Sequence, residues 1–473
     1  MSSTTGRSAV VFPGQGAYYP GALGELRDQY PHIDNVFDEV DRAAESILGG
    51  PVAKDLFSAA RDIDALLLEA PTALQLAIYG TSVATYQVLA SHGLRPDVHV
   101  GHSLGEIASL VCAGAWTVHE GAEIVCHRSL ALQERSEQGA GMAAVGLDSS
   151  RAEHLIAMVG EDHAVVAVRN HDQQTVITGT HEALAQIQAV AKGLRVMFAA
   201  IRSPYPFHSP WVLGAAADFR ARLGDAYPSA ELQVPVYSPI EQRRYTDEDD
   251  LAELISSQLT RSVDFAGSVR TINDDGVGVF VECGALGGLS GIISTVLAER
   301  EIVAVTPLLP DPGEATTLKA SVAELGRVGA VSVGADLDLS SVASLLLPGT
   351  PPNDMMMFWA DRGPDVVASA QSIFGDWNEL TRDQRRLVNG AEPGTDLGPV
   401  LIADDEVGEG SSRRAEVFAR VVQVYAEALE YPPEVLEADT DLESELGVDS
   451  VKQTELLARV AEVFQMPARP DGF

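Results

Sequence analysis

A serine with glycines two positions before and after it, in Gly101-His102-Ser103-Leu104-Gly105-Glu106, has the spacing of a nucleophile elbow. Strand-like Val98-His99-Val100 precedes it and helix-like Ile107 to Ala113 follows, which is the context such an elbow requires. The turn from strand to helix is sharp, so small residues must stand where Gly101 and Gly105 do. Ser103 is then set at a helix N-terminus, where backbone N–H groups and the helix dipole favour developing negative charge. A serine hydroxyl is a poor nucleophile until a base takes its proton. His208 is the candidate base, in the proline-punctuated loop Ser203-Pro204-Tyr205-Pro206-Phe207-His208-Ser209-Pro210. His102 competes, but a residue adjacent to the serine at an elbow points away from it and reads as packing. Arg128 follows Ser103 by 25 residues, on the helix-like stretch Val118 to Arg135. A planar guanidinium can hold a carboxylate with two parallel hydrogen bonds and stays charged when partly buried. Taken alone, a helical arginine is a solvated face residue, and Asp449-Ser450 is a helix N-cap.

The elements that must position these groups alternate. From residue 9 to about 310, short β-branched runs exchange with amphipathic stretches, which predicts an α/β domain with a largely parallel sheet. Val98 to Val100, Val277 to Val281 and Ile302 to Val305 read as buried strands. Within this block, residues 136–200 carry a βαββαβ-like insert. Its strands are expected at Met142 to Val145, Ala164 to Val168, Thr175 to Ile177 and Arg195 to Ala199, and its helices at about 149–160 and 181–193. A helix is expected over Ala315 to Val328, followed by a short strand before 347. Pro348 to about Ser412 recurs in Pro, Gly and Asp without periodicity and reads as linker. A new amphipathic helix begins at about Arg413, with Val417, Val421, Val424 and Ala428 on one face.

Length and composition narrow the function classes. A chain of 473 residues predicts two to four folded units, and 46% hydrophobic with 21% charged residues is ordinary for a globular enzyme. The net charge of −36 argues against nucleic acid as a partner. Cys112, Cys126 and Cys283 are widely spaced in apolar stretches, which suits buried thiols better than disulfides or a metal site. The apolar runs are interrupted, and no signal peptide pattern precedes Ala9-Val10-Val11-Phe12, so the expectation is a cytoplasmic protein without a membrane span.

Five motifs in order carry a family resemblance: Phe12-Pro13-Gly14-Gln15-Gly16, then Gly101 to Glu106, Arg128, Tyr205 to Ser209, and Phe280-Val281-Glu282-Cys283-Gly284. Over about residues 8–330 the chain resembles the acyltransferase domains of polyketide synthases and the malonyl-CoA:carrier protein transacylases. The resemblance implies an α/β-hydrolase-like large subdomain with an inserted ferredoxin-like small one. It implies Ser103 as nucleophile, His208 as general base of a dyad, and a backbone carbonyl at Gln258 that orients the histidine. The backbone N–H groups of Gln15 and Leu104 would form the oxyanion hole, Arg128 would clamp the acyl carboxylate, and Gln75 matches a substrate-pocket position. Phe207 before the base and Leu104 after the nucleophile resemble the malonyl-selective pattern. Tyr205-Pro206 ahead of Phe207, and Ala285 after the Glu-x-Gly turn, depart from the commonest motif.

Leu446-Gly447-Val448-Asp449-Ser450-Val451 resembles the modification site of acyl carrier domains, which makes Ser450 the expected attachment point of 4′-phosphopantetheine. Three regions follow: an acyltransferase at 8–310, a linker at 311–412, and a helical carrier bundle at 413–473 that stops 23 residues past Ser450, short of the usual last helices. The implied activity transfers malonyl from coenzyme A to a carrier thiol, in cis or in trans, in polyketide or antibiotic biosynthesis, without a metal. Implied partners are malonyl-CoA, a phosphopantetheinyl transferase and neighbouring synthase domains such as a ketosynthase. A hydrolase that unloads stalled acyl groups, and a silent module that presents a carrier, are the competing readings.

Overall fold

The computed structural model describes residues 7–52, 63–160 and 163–331. Expectations that fall on 332–473, the carrier helix and Ser450 among them, lie outside the described residues.

The larger sheet is built around β1 (Arg7–Phe12), which pairs in parallel with β2 (Val98–Gly101) and β10 (Val277–Glu282). β7 (Val236–Ser238) extends it beyond β2 and β11 (Val303–Val305) beyond β10, both in parallel, and β8 (Arg243–Arg244) closes one edge antiparallel to β7. Strands covered by helices on both faces need apolar residues at successive positions. Ala9 to Phe12 are accordingly all fully buried. The helix Pro71–Ser91 is buried along most of its length, as an α-helix apolar on every side must be. Register does the positioning. Val11 sits beside Val100 and Glu282, and Phe12 beside Gly101, so the loops after β1, β2 and β10 emerge together at the carboxyl end of the sheet.

The insert forms a separate sheet of β3 (Ala140–Val145), β4 (Ala164–His171), β5 (Gln174–Thr180) and β6 (Phe198–Ile201), in the order β6-β3-β5-β4. Its helices, Ser149–Ala157 and His181–Leu194, are N-capped by Asp148 and Thr180. They bury Ala152, Leu155, Ile156 and Ile187 against Ala143, Val145 and Ile177. This is the expected βαββαβ unit with one correction: its last strand lies at Phe198–Ile201, not Arg195 to Ala199. Arg195 adopts φ 57° and ends the preceding helix, with its own N–H and that of Val196 bonded back to Lys192 and Ala191, so extended chain begins only after it. A feature that local pattern did not show is β9 (Val263–Asp264), which joins β4 in parallel and ties the insert to a later part of the chain.

The helix Glu314–Arg327 buries Leu318 and Leu325 on the core of the larger sheet. Its buried Glu314 accepts hydrogen bonds from the Tyr19 hydroxyl at 2.5 Å and from the backbone N–H groups of Leu23 and Glu25 at 2.6 and 3.1 Å. Among the described residues no helix is long and apolar enough to cross a membrane.

Candidate active site

Ser103 occupies the turn between β2 and the helix Gly105–Cys112 with φ 53°, a left-handed conformation that costs a non-glycine residue of order 1 kcal/mol or more. Its neighbours show why the flanking glycines are needed. A Cβ at Gly105 would lie 2.0 Å from the Phe12 carbonyl oxygen, and one at Gly101 would lie 2.1 Å from the Cα of Glu106. The His102 N–H donates to the Phe12 carbonyl at 2.8 Å, which pins the elbow to the end of β1. A Cβ at Gly14 would meet the His102 carbonyl oxygen at 2.7 Å, so the loop carrying Gln15 presses directly on the elbow. Leu104 is buried at the helix start, where first-turn N–H groups have no intrahelical acceptor.

His208 comes from the loop after β6 and is also held at positive φ, 56°. The 3₁₀ turn Gln258–Thr260 and the residue after it grip it at three points. The His208 N–H donates to the Leu259 carbonyl at 2.7 Å, and its ring Nδ1 lies 3.0 Å from the carbonyls of both Gln258 and Arg261. Two carbonyls can only accept, so the proton is assigned to Nδ1 and Nε2 is left as an acceptor. Nε2 stands 2.9 Å from the Ser103 hydroxyl oxygen. Burial pushes His208 down to about 4, helped by His102 and Arg128 and opposed by the Gln258 and Arg261 carbonyls, so the ring is neutral at pH 7. The loop is braced by Thr178, whose hydroxyl donates to the Phe207 carbonyl at 2.9 Å. His102, expected to pack, stacks edge-on against Phe265 with ring centroids 5.3 Å apart.

Arg128 is on the helix Val118–Arg135 and is among the most fully buried large side chains. Its Nη1 donates to the Gln75 side-chain carbonyl, and its guanidinium carbon stands 5.1 Å from the centre of the Phe207 ring. Arg128 Nε and Gln75 Nε2 are buried without a hydrogen-bond partner, and no carboxylate pairs with Arg128 among the described residues. Burial lowers Arg128 to about 10, which still leaves it charged at pH 7. Gln75, Arg128, Phe207 and His208 therefore form one continuous group leading to Ser103, two of whose members keep a polar atom without a partner among the described residues.

Comparison with known proteins decides the family. The acyl transferase domain family matches residues 9–330. This chain belongs to the acyl transferase domain family. The phosphopantetheine attachment site family matches residues 419–471, so a carrier domain follows the acyltransferase. The chain is 30% identical over 378 residues to phenolphthiocerol synthesis polyketide synthase type I Pks15/1 of Mycobacterium marinum, covering 79% of this chain and 17% of that protein. It is 31% identical over 303 residues to malonyl CoA-acyl carrier protein transacylase of Bacillus subtilis, covering 63% of this chain and 93% of that one. The acyltransferase domain from the second module of the salinomycin polyketide synthase superposes with a TM-score of 0.64 at 26% identity, covering 73% of this chain and 79% of that one. The transacylase of Coxiella burnetii superposes at 0.60 and 27% identity, covering 67% and 97%. The chain thus spans only a small part of the synthases it matches and nearly the full length of the free-standing transacylases.

Two features of this acyltransferase domain escape a reading by motif. The Arg261 carbonyl shares the Nδ1 proton with the expected Gln258 carbonyl. Glu106, the last residue of the elbow motif, is a buried carboxyl that accepts from the Tyr245 hydroxyl at 2.7 Å and from Gln258 Nε2 at 3.3 Å. A signal for Glu106 exists in the sequence, because a carboxylate at the head of the largely apolar run Ile107 to Val111 must find buried donors. Which donors it finds is not written locally.

Proposed function

We propose that this chain transfers a malonyl group from coenzyme A, through an ester on Ser103, to the phosphopantetheine thiol of an acyl carrier domain. The observation that carries the proposal is the 2.9 Å contact between His208 Nε2 and Ser103, set beside a buried guanidinium that lacks a carboxylate partner among the described residues. An acyl group with its own carboxylate supplies that partner.

His208 Nε2 takes the proton of Ser103 as the hydroxyl oxygen attacks the thioester carbonyl. The N–H groups of Leu104 and Gln15 receive the oxyanion. The carbon–sulfur bond then breaks, and His208 returns the proton to the departing coenzyme A sulfur. In the second half His208 takes the proton of an acceptor thiol, whose sulfur attacks the ester, and Ser103 leaves with the proton restored. Arg128 holds the malonyl carboxylate throughout through Nε and its neighbouring nitrogen, while Gln75 fixes the orientation of the guanidinium. Phe207 narrows the space for an α-methyl branch, a discrimination of about 1–3 kcal/mol.

Phosphopantetheine on Ser450, within the matched carrier segment, would supply an acceptor thiol, and a phosphopantetheinyl transferase would install it. The polyketide synthase relatives and the transacylases among the similar structures support both the carrier acceptor and the malonyl donor.

Intact-mass measurement after exposure to malonyl-, methylmalonyl- and acetyl-CoA tests the reading. A malonyl mass shift in the parent chain that is absent from Ser103→Ala is expected. Equal loading of malonyl and acetyl groups would refute the role of Arg128. Malonate release at one rate with or without a holo carrier would favour hydrolysis instead.

A further inference from the structure

Resting on the dyad described above, we infer that Glu106 is a positioning residue for His208, acting through a side-chain hydrogen bond from Gln258 that locks the turn holding the imidazole. The nucleophile elbow and the base come from segments far apart in the chain, yet the base can serve Ser103 only if the turn at 258–261 has a fixed height relative to the elbow. Glu106 joins the two. It sits three residues after Ser103 in the first turn of the elbow helix, and its carboxyl receives Gln258 Nε2 at 3.3 Å. The backbone carbonyl of that same Gln258 is 3.0 Å from His208 Nδ1. The next residue's carbonyl accepts the His208 backbone N–H at 2.7 Å.

The remaining donors fix the carboxyl itself. Tyr245 donates at 2.7 Å, and Ser238, at the end of β7, also bonds to it. Glu106 and Gln258 are both about 1% exposed, so solvent does not compete for these bonds. The other end of the turn is tied separately, since Arg261 pairs with Glu241. Gln258 Oε1 has no partner among the described residues, which leaves Glu106 as the group that orients this side chain. The same vacant oxygen means that the contact does not depend on charge. A protonated carboxyl or an amide at 106 can donate to Oε1 after the Gln258 amide turns over. Burial, which pushes Glu106 up to about 7, is therefore compatible with the role.

The experiment measures single-turnover formation of the malonyl ester on the full chain by rapid quench and intact mass, across malonyl-CoA concentrations. Glu106→Met and Gln258→Leu each remove the contact and keep the backbone carbonyl at 258. Each is expected to slow the limiting rate by about 10-fold to 100-fold, the scale of a misplaced catalytic group, with half-saturation unchanged within about twofold. The double variant should be no slower than the slower single, because both changes break one contact. Glu106→Gln should keep a rate within about threefold of the parent. Parent-like rates in Glu106→Met or Gln258→Leu, or multiplicative losses in the double variant, would overturn the inference while leaving the proposed function intact. If Glu106→Met does not fold, Gln258→Leu decides by the same criteria. A parent chain that forms no ester from malonyl-CoA would instead defeat the functional reading.

Discussion

The two ends of the buried site differ in how complete they are. At the reacting end, His208 Nδ1 has two carbonyl acceptors, Nε2 has the Ser103 hydroxyl, and the backbone N–H is taken by Leu259. At the recognition end, Arg128 Nε and Gln75 Nε2 are buried with no hydrogen-bond partner among the described residues. Leaving a buried polar group unsatisfied costs about 1–3 kcal/mol, more for a charged one. A fold keeps that cost where a ligand removes it. On the proposed function, the protein builds its base in advance, whereas its selectivity is finished only when an acyl carboxylate arrives.

Breaking the complete end should have the largest effect. Ser103→Ala is expected to lower transfer by at least about 10⁴-fold and to abolish the covalent adduct in intact-mass spectra, with His208→Ala comparable and the pair not multiplicative. Attacking the incomplete end should change choice more than chemistry. Arg128→Ala is expected to reduce the ratio of malonyl to acetyl loading by about 100-fold, from two charge-assisted hydrogen bonds lost, as read in competition assays. Opening the wall is smaller again: Phe207→Ala should raise methylmalonyl relative to malonyl loading by about tenfold.

The mildest perturbation is proton concentration. In the proposed mechanism the base is neutral imidazole, and burial places His208 at about 4. Loading rate should therefore change by less than about twofold between pH 8 and pH 5.5, then fall as pH drops through 4, with circular dichroism confirming that the chain is still folded. An acid limb centred near 6.5 would show that the base is less enclosed than its geometry indicates.

Much of this molecule could be read from adjacent residues. The elbow is legible because its glycine and serine spacing falls within six positions, even though the carbonyl that excludes a side chain at Gly105 belongs to distant Phe12, and the insert because its capped helices and alternating strands are local patterns. Where local reading slipped, at the last strand of the insert, the cause was one residue: Arg195 resembles strand by its neighbours but terminates a helix in the left-handed region.

The sequence alone determined the elbow that carries Ser103 and the alternation of strands and helices, since each is encoded within a few residues of itself, and it determined the family through five such short motifs in order. Tertiary structure alone decided that Arg261 shares the histidine proton, that Gln75 orients Arg128 across 53 residues, and that Glu106 reaches Gln258 across 152. Those pairings depend on the register of β1 against β2 and β10 and on where a 3₁₀ turn lands above them. A buried polar atom takes whichever partner the packed chain brings within about 3 Å, and no spacing along the sequence specifies which that is.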